Sequence, residues 1–242
     1  MPYHCEKTSF AQAWICVVLM TLLMPVLVAC SSQPQPKVNL QRLDLKLVEL
    51  AAPNALINAA ARGDALTVRR ELEAGALINA VSPVGTAFSQ AMKAGHETVS
   101  LFLLSLGADT RSGFAPDETS ALILAASRGH NQLAKELLIR GADLEALDPE
   151  GYTALARAAI NGHLTTLKVL INAGAKVDVV AEGRSILMRV VQANNMLLAQ
   201  VLIAAQADVN FRDERGDTAL RIARHNKFFD IDLMLVQAGA RL

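Results

Sequence analysis

The chain has 242 residues, of which 52% are apolar and 4% aromatic, and its 23 Lys and Arg residues balance 23 Asp and Glu residues. This length suits one or two domains, and the balanced charge gives no electrostatic reason to expect nucleic-acid binding. Because Ala and Leu dominate the apolar residues, we expect closely packed helices rather than sheets.

The first predicted element is an N-terminal targeting segment, a signal peptide over residues 1–29. Lys7 precedes a charge-free apolar run from about Ala13 to Ala29, which Pro25 interrupts. This run is near the minimum length for a membrane-spanning helix, so a transmembrane anchor remains the alternative. Leu27-Val28-Ala29-Cys30 resembles the lipobox of bacterial lipoproteins. The resemblance implies cleavage before Cys30 and acylation of that cysteine, with palmitate among its lipids.

The same resemblance predicts a location for the mature chain. In such lipoproteins Ser31, rather than Asp, after the acylated cysteine implies the outer membrane of a Gram-negative bacterium, with the protein facing the periplasm. Cys5 and Cys16 would leave with the signal peptide. The mature chain would then retain Cys30 alone, and no internal disulfide or thiolate metal site could form.

A tether and a short helix are predicted next. Residues 30–39 are polar and contain Pro34 and Pro36, which disfavour helix. Residues 40–53 form the predicted N-terminal helix or cap, because Leu40, Leu43, Leu47 and Leu50 recur at helical spacing. We expect this helix to cover the first repeat, and Pro53 to help close it.

The remaining sequence, from Asn54 to Leu242, repeats itself. A Gly-Ala pair recurs every 32 to 34 residues, at Gly75, Gly107, Gly141, Gly174 and Gly239, with Gln206-Ala207 continuing the series. A second marker precedes each pair by about twelve residues, as in Gly95-His96, Gly129-His130 and Gly162-His163. Apolar residues at helical spacing lie between the markers. Each unit is therefore predicted to be a short helix, a Gly turn, a longer helix and a Gly that ends it.

These markers resemble the ankyrin repeat, as in Gly151-Tyr152-Thr153-Ala154-Leu155 and Gly216-Asp217-Thr218-Ala219-Leu220. The resemblance implies an all-α solenoid of about six helix-turn-helix units with short β-hairpin turns. The predicted units cover residues 54–83, 84–116, 117–149, 150–181, 182–213 and 214–242. We expect the loop around Ser112 to Pro116 to distort one hairpin.

The chain departs from the family pattern at Thr-Pro-Leu-His. No unit keeps its Pro or its His, and the His position holds Ile57, Ser89, Ile123, Ala156, Met188 and Arg221. In the family this His links neighbouring repeats by hydrogen bonds. We expect apolar contacts to replace most of those links, with stacking preserved by the interfaces between neighbours.

The residues indicate no enzyme. His96, His130 and His163 occupy one repeat position, and His225 lies apart, so we expect no convergence on a metal or a catalytic centre. We find no supported Ser-His-Asp order, no phosphate-binding Gly loop and no metalloprotease motif. We therefore predict no catalytic residues, no metal and no cofactor.

The resemblance implies binding of a protein partner through hairpin tips and first helices, on the concave side. The first helices contain seven cations and no Asp or Glu, which predicts a preference for an acidic partner surface, although cations also favour helix C-termini on their own account. These cations are Arg62, Lys93, Arg128, Arg157, Arg189, Arg221 and Arg224. Predicted contacts near the hairpins are Phe114, Leu147, Tyr152, Asn161, Val179, Arg184, Phe211 and Arg212, with Phe114 as the main anchor.

Two functions remain open at this point. Some ankyrin-repeat lipoproteins resemble immunity proteins, which would make the partner a secreted (type VI-like) antibacterial lipase toxin. The alternative is a periplasmic adaptor that assists or protects an envelope enzyme or a stress response. Either protein would be lipid-anchored, bind no nucleic acid and be monomeric when unbound.

Overall fold

A computed structural model describes residues 53–114 and 119–241, which form six stacked helix pairs. The first helices are α1 Pro53–Arg62, α3 Ala87–Ala94, α5 Ala121–Arg128, α7 Ala154–Ile160, α9 Ile186–Gln192 and α11 Ala219–His225. The second helices are α2 Ala65–Glu73, α4 Glu97–Ser105, α6 Asn131–Ile139, α8 Leu164–Asn172, α10 Met196–Ala204 and α12 Phe229–Gln237. The all-α fold with short hairpins is confirmed. The predicted segments 1–29, 30–39 and 40–52, including Cys30, lie outside the described residues.

Polar caps set where five of the first helices begin. The side-chain oxygens of Thr86, Ser120, Thr153, Ser185 and Thr218 each accept a hydrogen bond from a backbone N–H in the first turn. Such caps satisfy a donor that the helix cannot pair internally. Pro53 is the first residue of α1, and the segment that it was expected to close lies outside the described residues. Proline is favoured at the first helical position, where no N–H is required.

The core runs through the stack because each first helix packs against its own second helix and against the first helix of the next unit. Ala59, Ala91, Ala125 and Ala158 are wholly buried, and their small side chains let the helices approach closely. This arrangement is the predicted sum of interfaces between neighbouring units.

The hairpins between units contain little regular strand. Val180–Ala181 (β1) pairs antiparallel with Arg184–Ser185 (β2), and Ser82 bridges Gly85 in the first hairpin. None of the helices in the described ranges is long and apolar enough to cross a membrane. The hairpins and first helices position the side chains considered next.

Candidate protein-binding surface

The hairpin between the third and fourth units is organised by one buried carboxylate. The side chain of Asp148 is 2% exposed, and its Oδ1 accepts hydrogen bonds from the backbone N–H groups of Glu150 (3.0 Å) and Tyr152 (2.9 Å). Its Oδ2 accepts from Nε of Arg157 at 2.5 Å, and a second guanidinium nitrogen of Arg157 reaches Glu150 at 2.6 Å. The hairpin backbone and the first helix of the fourth unit are therefore fixed together.

Tyr152 lies between two arginines. The guanidinium carbon of Arg157 is 4.3 Å from the ring centroid of Tyr152, and that of Arg189 is 5.4 Å away. Arg189 in turn donates to the Ala181 carbonyl at 2.6 Å and to the Glu182 carboxylate at 2.8 Å. Tyr152 was expected to contact a partner, but only 4% of it is exposed, which leaves little of its ring for such a contact. Its ring instead orients two arginines of the candidate surface.

The charges of this network change the protonation of its members. Burial raises the pKa of Asp148, but the hydrogen bonds from Arg157 and from backbone N–H groups outweigh it, so the net pKa lies below its usual value. The hydrogen bond from Arg189 lowers the pKa of Glu182. Burial, together with a hydrogen bond to Glu182, raises the pKa of the Tyr152 hydroxyl. At neutral pH both carboxylates are therefore charged and Tyr152 is neutral.

The last two units repeat this pairing with other residues. Arg184 contacts the buried Asp213 at 3.3 Å and donates to Gln192 at 2.8 Å. Arg221 pairs with Asp217 at 3.1 Å, and Arg224 pairs with Asp232 at 2.9 Å. A cleft of about 500 Å³ near Arg184 is lined by both cations and carboxylates. In these units nearby carboxylates pair with the arginines of the first helices, which reduces the positive charge that the sequence predicted for this side.

Cations of the first three units have different partners. Arg128 is exposed, and its guanidinium donates to the backbone carbonyls of Met92 (2.8 Å) and Lys93 (2.7 Å) rather than to a carboxylate. The Lys93 ammonium lies 5.9 Å from the centroid of the Phe114 ring, and Arg62 is exposed. Within the described part of the chain, neither Arg62 nor Arg128 forms an ion pair with a carboxylate. Asp64 lies near Arg62, and hydrogen bonds from Thr67 and, to a smaller extent, the Arg62 charge lower the pKa of Asp64.

The predicted apolar contacts differ in exposure. Leu147 is 61% exposed at the tip of its hairpin, whereas Phe114 is half-buried and packs edge-to-face on Phe88, with ring centroids 6.4 Å apart. Phe211 and Val179 are likewise half-buried against the core. Leu147 therefore presents more apolar surface than Phe114, the anchor that the sequence favoured.

The remaining predicted contacts are polar. Arg212 is exposed, and the Asn161 side chain donates to the Ser127 carbonyl of the preceding unit at 2.8 Å. Asn161 is therefore tied to the stack, while Arg212 faces solvent.

Histidines restore some of the links between units that the missing family His would make. Nε2 of His96 lies 3.1 Å from the Ala61 carbonyl, and Nε2 of His163 lies 2.9 Å from the Ser127 carbonyl. A Cβ added at Gly129 would lie 2.6 Å from the His163 ring, which shows how closely the two units approach. The described ranges contain no group of three or more His, Cys, Asp or Glu that could hold a metal. These histidines are structural links, as their shared repeat position predicted.

Sequence reasoning missed the carboxylates that neutralise the arginines. Asp148 and Glu150 precede Arg157 by nine and seven residues, and Glu182 precedes Arg189 by seven. In these two hairpins the spacing places a carboxylate beside the first-helix Arg that follows it. The spacing is not general, because Arg221 pairs with Asp217 rather than with Glu214, seven residues before it. These carboxylates lie in the hairpins, outside the predicted first helices.

Known proteins that are similar to this chain in sequence or structure contain ankyrin repeats. Residues 88–181 match a family model described as ankyrin repeats (3 copies). A solved ankyrin repeat domain from Acinetobacter baumannii AYE is 30% identical, with a TM-score of 0.69, and the alignment covers 78% of this chain and all of that one. The ankyrin repeat domain of Bcl-3, of the IkappaB protein family, is 26% identical with a TM-score of 0.65, covering 79% of this chain and 88% of that domain.

A longer relative matches in part. A homologue of the transient receptor potential cation channel subfamily A member 1 from Caenorhabditis elegans is 35% identical over 112 residues. Those residues are 46% of this chain and only 9% of the channel homologue. The similarity concerns the repeats, and the chain spans a small fraction of that relative's length.

Proposed function

Because this chain belongs to the ankyrin-repeat family, we propose that it binds another protein through its hairpin tips and first helices. The observation that carries this proposal is the fixed network around Asp148, which holds Arg157 and the hairpin backbone in place before a partner arrives. Side chains that are already ordered lose less entropy on binding. Leu147, exposed on the same hairpin, supplies apolar contact area.

The partner surface is proposed to be acidic. This preference is concentrated in the first three units, since the arginines of the later units already pair with carboxylates. Exposed charges of this kind act mainly by accelerating association, and salt screens them.

A matched pair of charge reversals tests the acidic preference. Arg62 lies at the end of the first helix of unit one, and Arg70 lies on the second helix of the same unit with its side chain 73% exposed. In the full chain purified in detergent, Arg62→Glu should slow association with the captured partner several-fold, and added salt should slow the wild type likewise. Arg70→Glu should leave the rate unchanged. Equal rates for both variants in low salt would remove the electrostatic part of the proposal.

The protein is further proposed to be a lipoprotein, anchored through Cys30 in the outer membrane and facing the periplasm. The apolar run that ends in Leu27-Val28-Ala29-Cys30 supports this proposal. More than one acyl chain would make the attachment stable, since one chain alone binds membranes only marginally. Growth with an alkyne-labelled palmitate should label the wild-type chain and leave Cys30→Ser unlabelled. An unlabelled wild-type chain that keeps residues 1–29 would favour the transmembrane anchor instead.

The more specific proposal is an immunity role, in which the chain neutralises a secreted type VI-like lipase effector. Its support is the resemblance to repeat-containing immunity lipoproteins, together with the proposed envelope location. Deletion of the gene should sensitise cells to the lipase, and a chain that cannot bind the lipase should fail to restore growth. Recovery of a non-toxic envelope enzyme as partner, with no loss of protection on deletion, would establish the adaptor role in its place.

A further inference from the structure

A hydrogen bond of one repeated kind joins successive hairpins. At four junctions, the acceptor is a side-chain oxygen of the residue four positions after the glycine of a Gly-Ala pair. The donor is the backbone N–H of the residue two positions after the glycine of the next pair. The four observed bonds run from Asp109 to Asn79 (2.9 Å), Lys176 to Glu145 (3.0 Å), Asp208 to Asp178 (2.7 Å) and Arg241 to Asn210 (2.8 Å). Gln206 takes the glycine position in one of these units. All four acceptors are Asn, Asp or Glu.

One junction in the series lacks this bond. Arg111 occupies the acceptor position in the second unit, and a guanidinium has no lone pair to offer. The corresponding donor is the backbone N–H of Asp143, which has no acceptor within residues 53–114 and 119–241. The carboxylate of Asp143 is already engaged by the Glu145 N–H at 2.9 Å. A backbone donor that every comparable junction satisfies is therefore left available here.

A cleft of about 250 Å³ opens at the same junction. Leu122, Leu137 and Ala142 contribute apolar atoms, and Thr110, Arg111 and Asp143 contribute polar ones. The cleft thus combines an apolar lining, a cation, the Asp143 carboxylate already engaged by the Glu145 N–H, and an unused backbone N–H. Its volume is sufficient for a side chain of a few heavy atoms.

We propose that this cleft receives an Asp or Glu side chain of the partner protein, whose carboxylate accepts the Asp143 N–H and pairs with Arg111. The neighbouring junctions indicate the occupant, because Glu145 and Asp178 place a carboxylate on the equivalent donor. Arg111 favours a carboxylate over a carboxamide, since a charged acceptor gains from a cation beside it. This inference rests on the proposed protein-binding function and assigns one subsite of that surface.

The variant Arg111→Asn tests the subsite without the natural partner. Asn is the acceptor at two other junctions, so the carboxamide introduced by this substitution should accept the Asp143 N–H within the chain itself. In the full chain in detergent, labelled with ¹⁵N-aspartate, the Asp143 amide should exchange with solvent more slowly in Arg111→Asn than in the wild type. Arg111→Ala is the matched control, because it removes the guanidinium without adding an acceptor, and its Asp143 exchange should be as fast as that of the wild type.

The binding probe is the peptide acetyl-Ala-Ala-Asp-Ala-Ala-amide, compared with its Asn counterpart. The Asp peptide should shift the Asp143 amide resonance of the wild type in a saturable way. The Asn peptide should shift it less, and Arg111→Asn should abolish the effect. No saturable shift up to the solubility limit, or an equal shift in Arg111→Asn, would overturn the inference.

Binding of the natural partner distinguishes failure of the proposed subsite from failure of the protein-binding function on which it rests. Arg111→Asn should weaken partner binding at least tenfold while the melting temperature of the chain stays level or rises. A partner that binds the wild type and Arg111→Asn equally would overturn the subsite and leave the protein-binding function standing. If the wild type binds the Asp peptide but no protein, the protein-binding function is overturned, and so is the assignment of the carboxylate to a partner protein.

Discussion

Two connections between neighbouring units, the hairpin around Asp148 and the loop from Asp109 to Phe114, are held in the stack by different hydrogen bonds. In the hairpin, Asp148 ties the backbone to Arg157 of the following helix, and Glu145 accepts the N–H of Lys176 in the next hairpin. In the loop, the Thr86 hydroxyl donates back to the Ser112 carbonyl at 3.3 Å, so the contact is with the preceding helix.

The difference shows what a break in a repeat can provide. Regular hairpins supply a side-chain acceptor for a backbone N–H of the next hairpin. At the loop, Arg111 stands in place of that acceptor, and an unused N–H remains beside a cleft of about 250 Å³. Four predictions test whether the hairpin and the loop differ in this way.

The largest expected effect is the loss of stability caused by substitution of Asp148. Asp148→Ala leaves Arg157 and two backbone N–H groups without their acceptor, and should lower the free energy of unfolding by about 3 kcal/mol. The control is Asp217→Ala, which removes an exposed pair with Arg221 and should cost less than about 1 kcal/mol. Urea unfolding of the three proteins measures both values. Equal losses would mean that the hairpin network contributes no more than a surface pair.

The second prediction compares two glycines with similar backbone angles. Gly113 (φ +84°) lies against the loop's contact with Thr86, where an added Cβ would be 2.5 Å from the Thr86 nitrogen, whereas a Cβ at Gly151 (φ +82°) meets nothing within 4 Å. Both alanine variants share the cost of a left-handed conformation. Gly113→Ala should be less stable than Gly151→Ala by about 2 kcal/mol, because backbone must move. A difference near zero in urea unfolding would show that the loop does not rest on Thr86.

The third prediction concerns the apolar residue of each connection. Phe114→Ala removes the edge-to-face contact with Phe88 and the Lys93 contact, and should cost about 1 to 2 kcal/mol of stability. Leu147→Ala, at an exposed tip, should change stability by less than about 0.5 kcal/mol. Thermal unfolding with calorimetry distinguishes them. A neutral Phe114→Ala would return Phe114 to the role of a partner contact rather than a packing residue.

The smallest expected effect is a pH dependence. The folded-state pKa of Asp148 lies below its unfolded value, so its contribution to stability is present above the unfolded pKa of about 4 and is lost as pH falls through the folded pKa. The wild type should therefore lose stability on acidification, and Asp148→Asn should lose less over the same range. Urea midpoints measured at several pH values provide the test. Parallel curves for the two proteins would contradict the assignment of this loss to Asp148.

Much of the fold was predictable from local spacing. The glycine markers and the Ser or Thr caps lie within each unit, so periodicity was enough to find six units and to place α3 and α5 correctly. Three features of the surface required contacts across units or hairpins. Tyr152 was expected to be a contact because its ring is large, yet Arg157 and Arg189 cover it. The cations of the first helices were correctly counted, but their carboxylate partners come from other segments. The missing acceptor at Arg111 becomes evident only when the equivalent residue in every unit is compared.

The most direct measurement of the proposed binding surface is the affinity of the full chain for a protein partner recovered by affinity capture, with two exposed leucine-sized residues altered in turn. Leu147 is 61% exposed at the hairpin tip, and Ile139 is 79% exposed at the end of the second helix α6. We predict that Leu147→Ser weakens binding about tenfold or more, which is about 1.4 kcal/mol, while Ile139→Ser leaves the affinity unchanged. Loss of affinity in Ile139→Ser with none in Leu147→Ser would contradict the account, because the partner would then dock on the second helices.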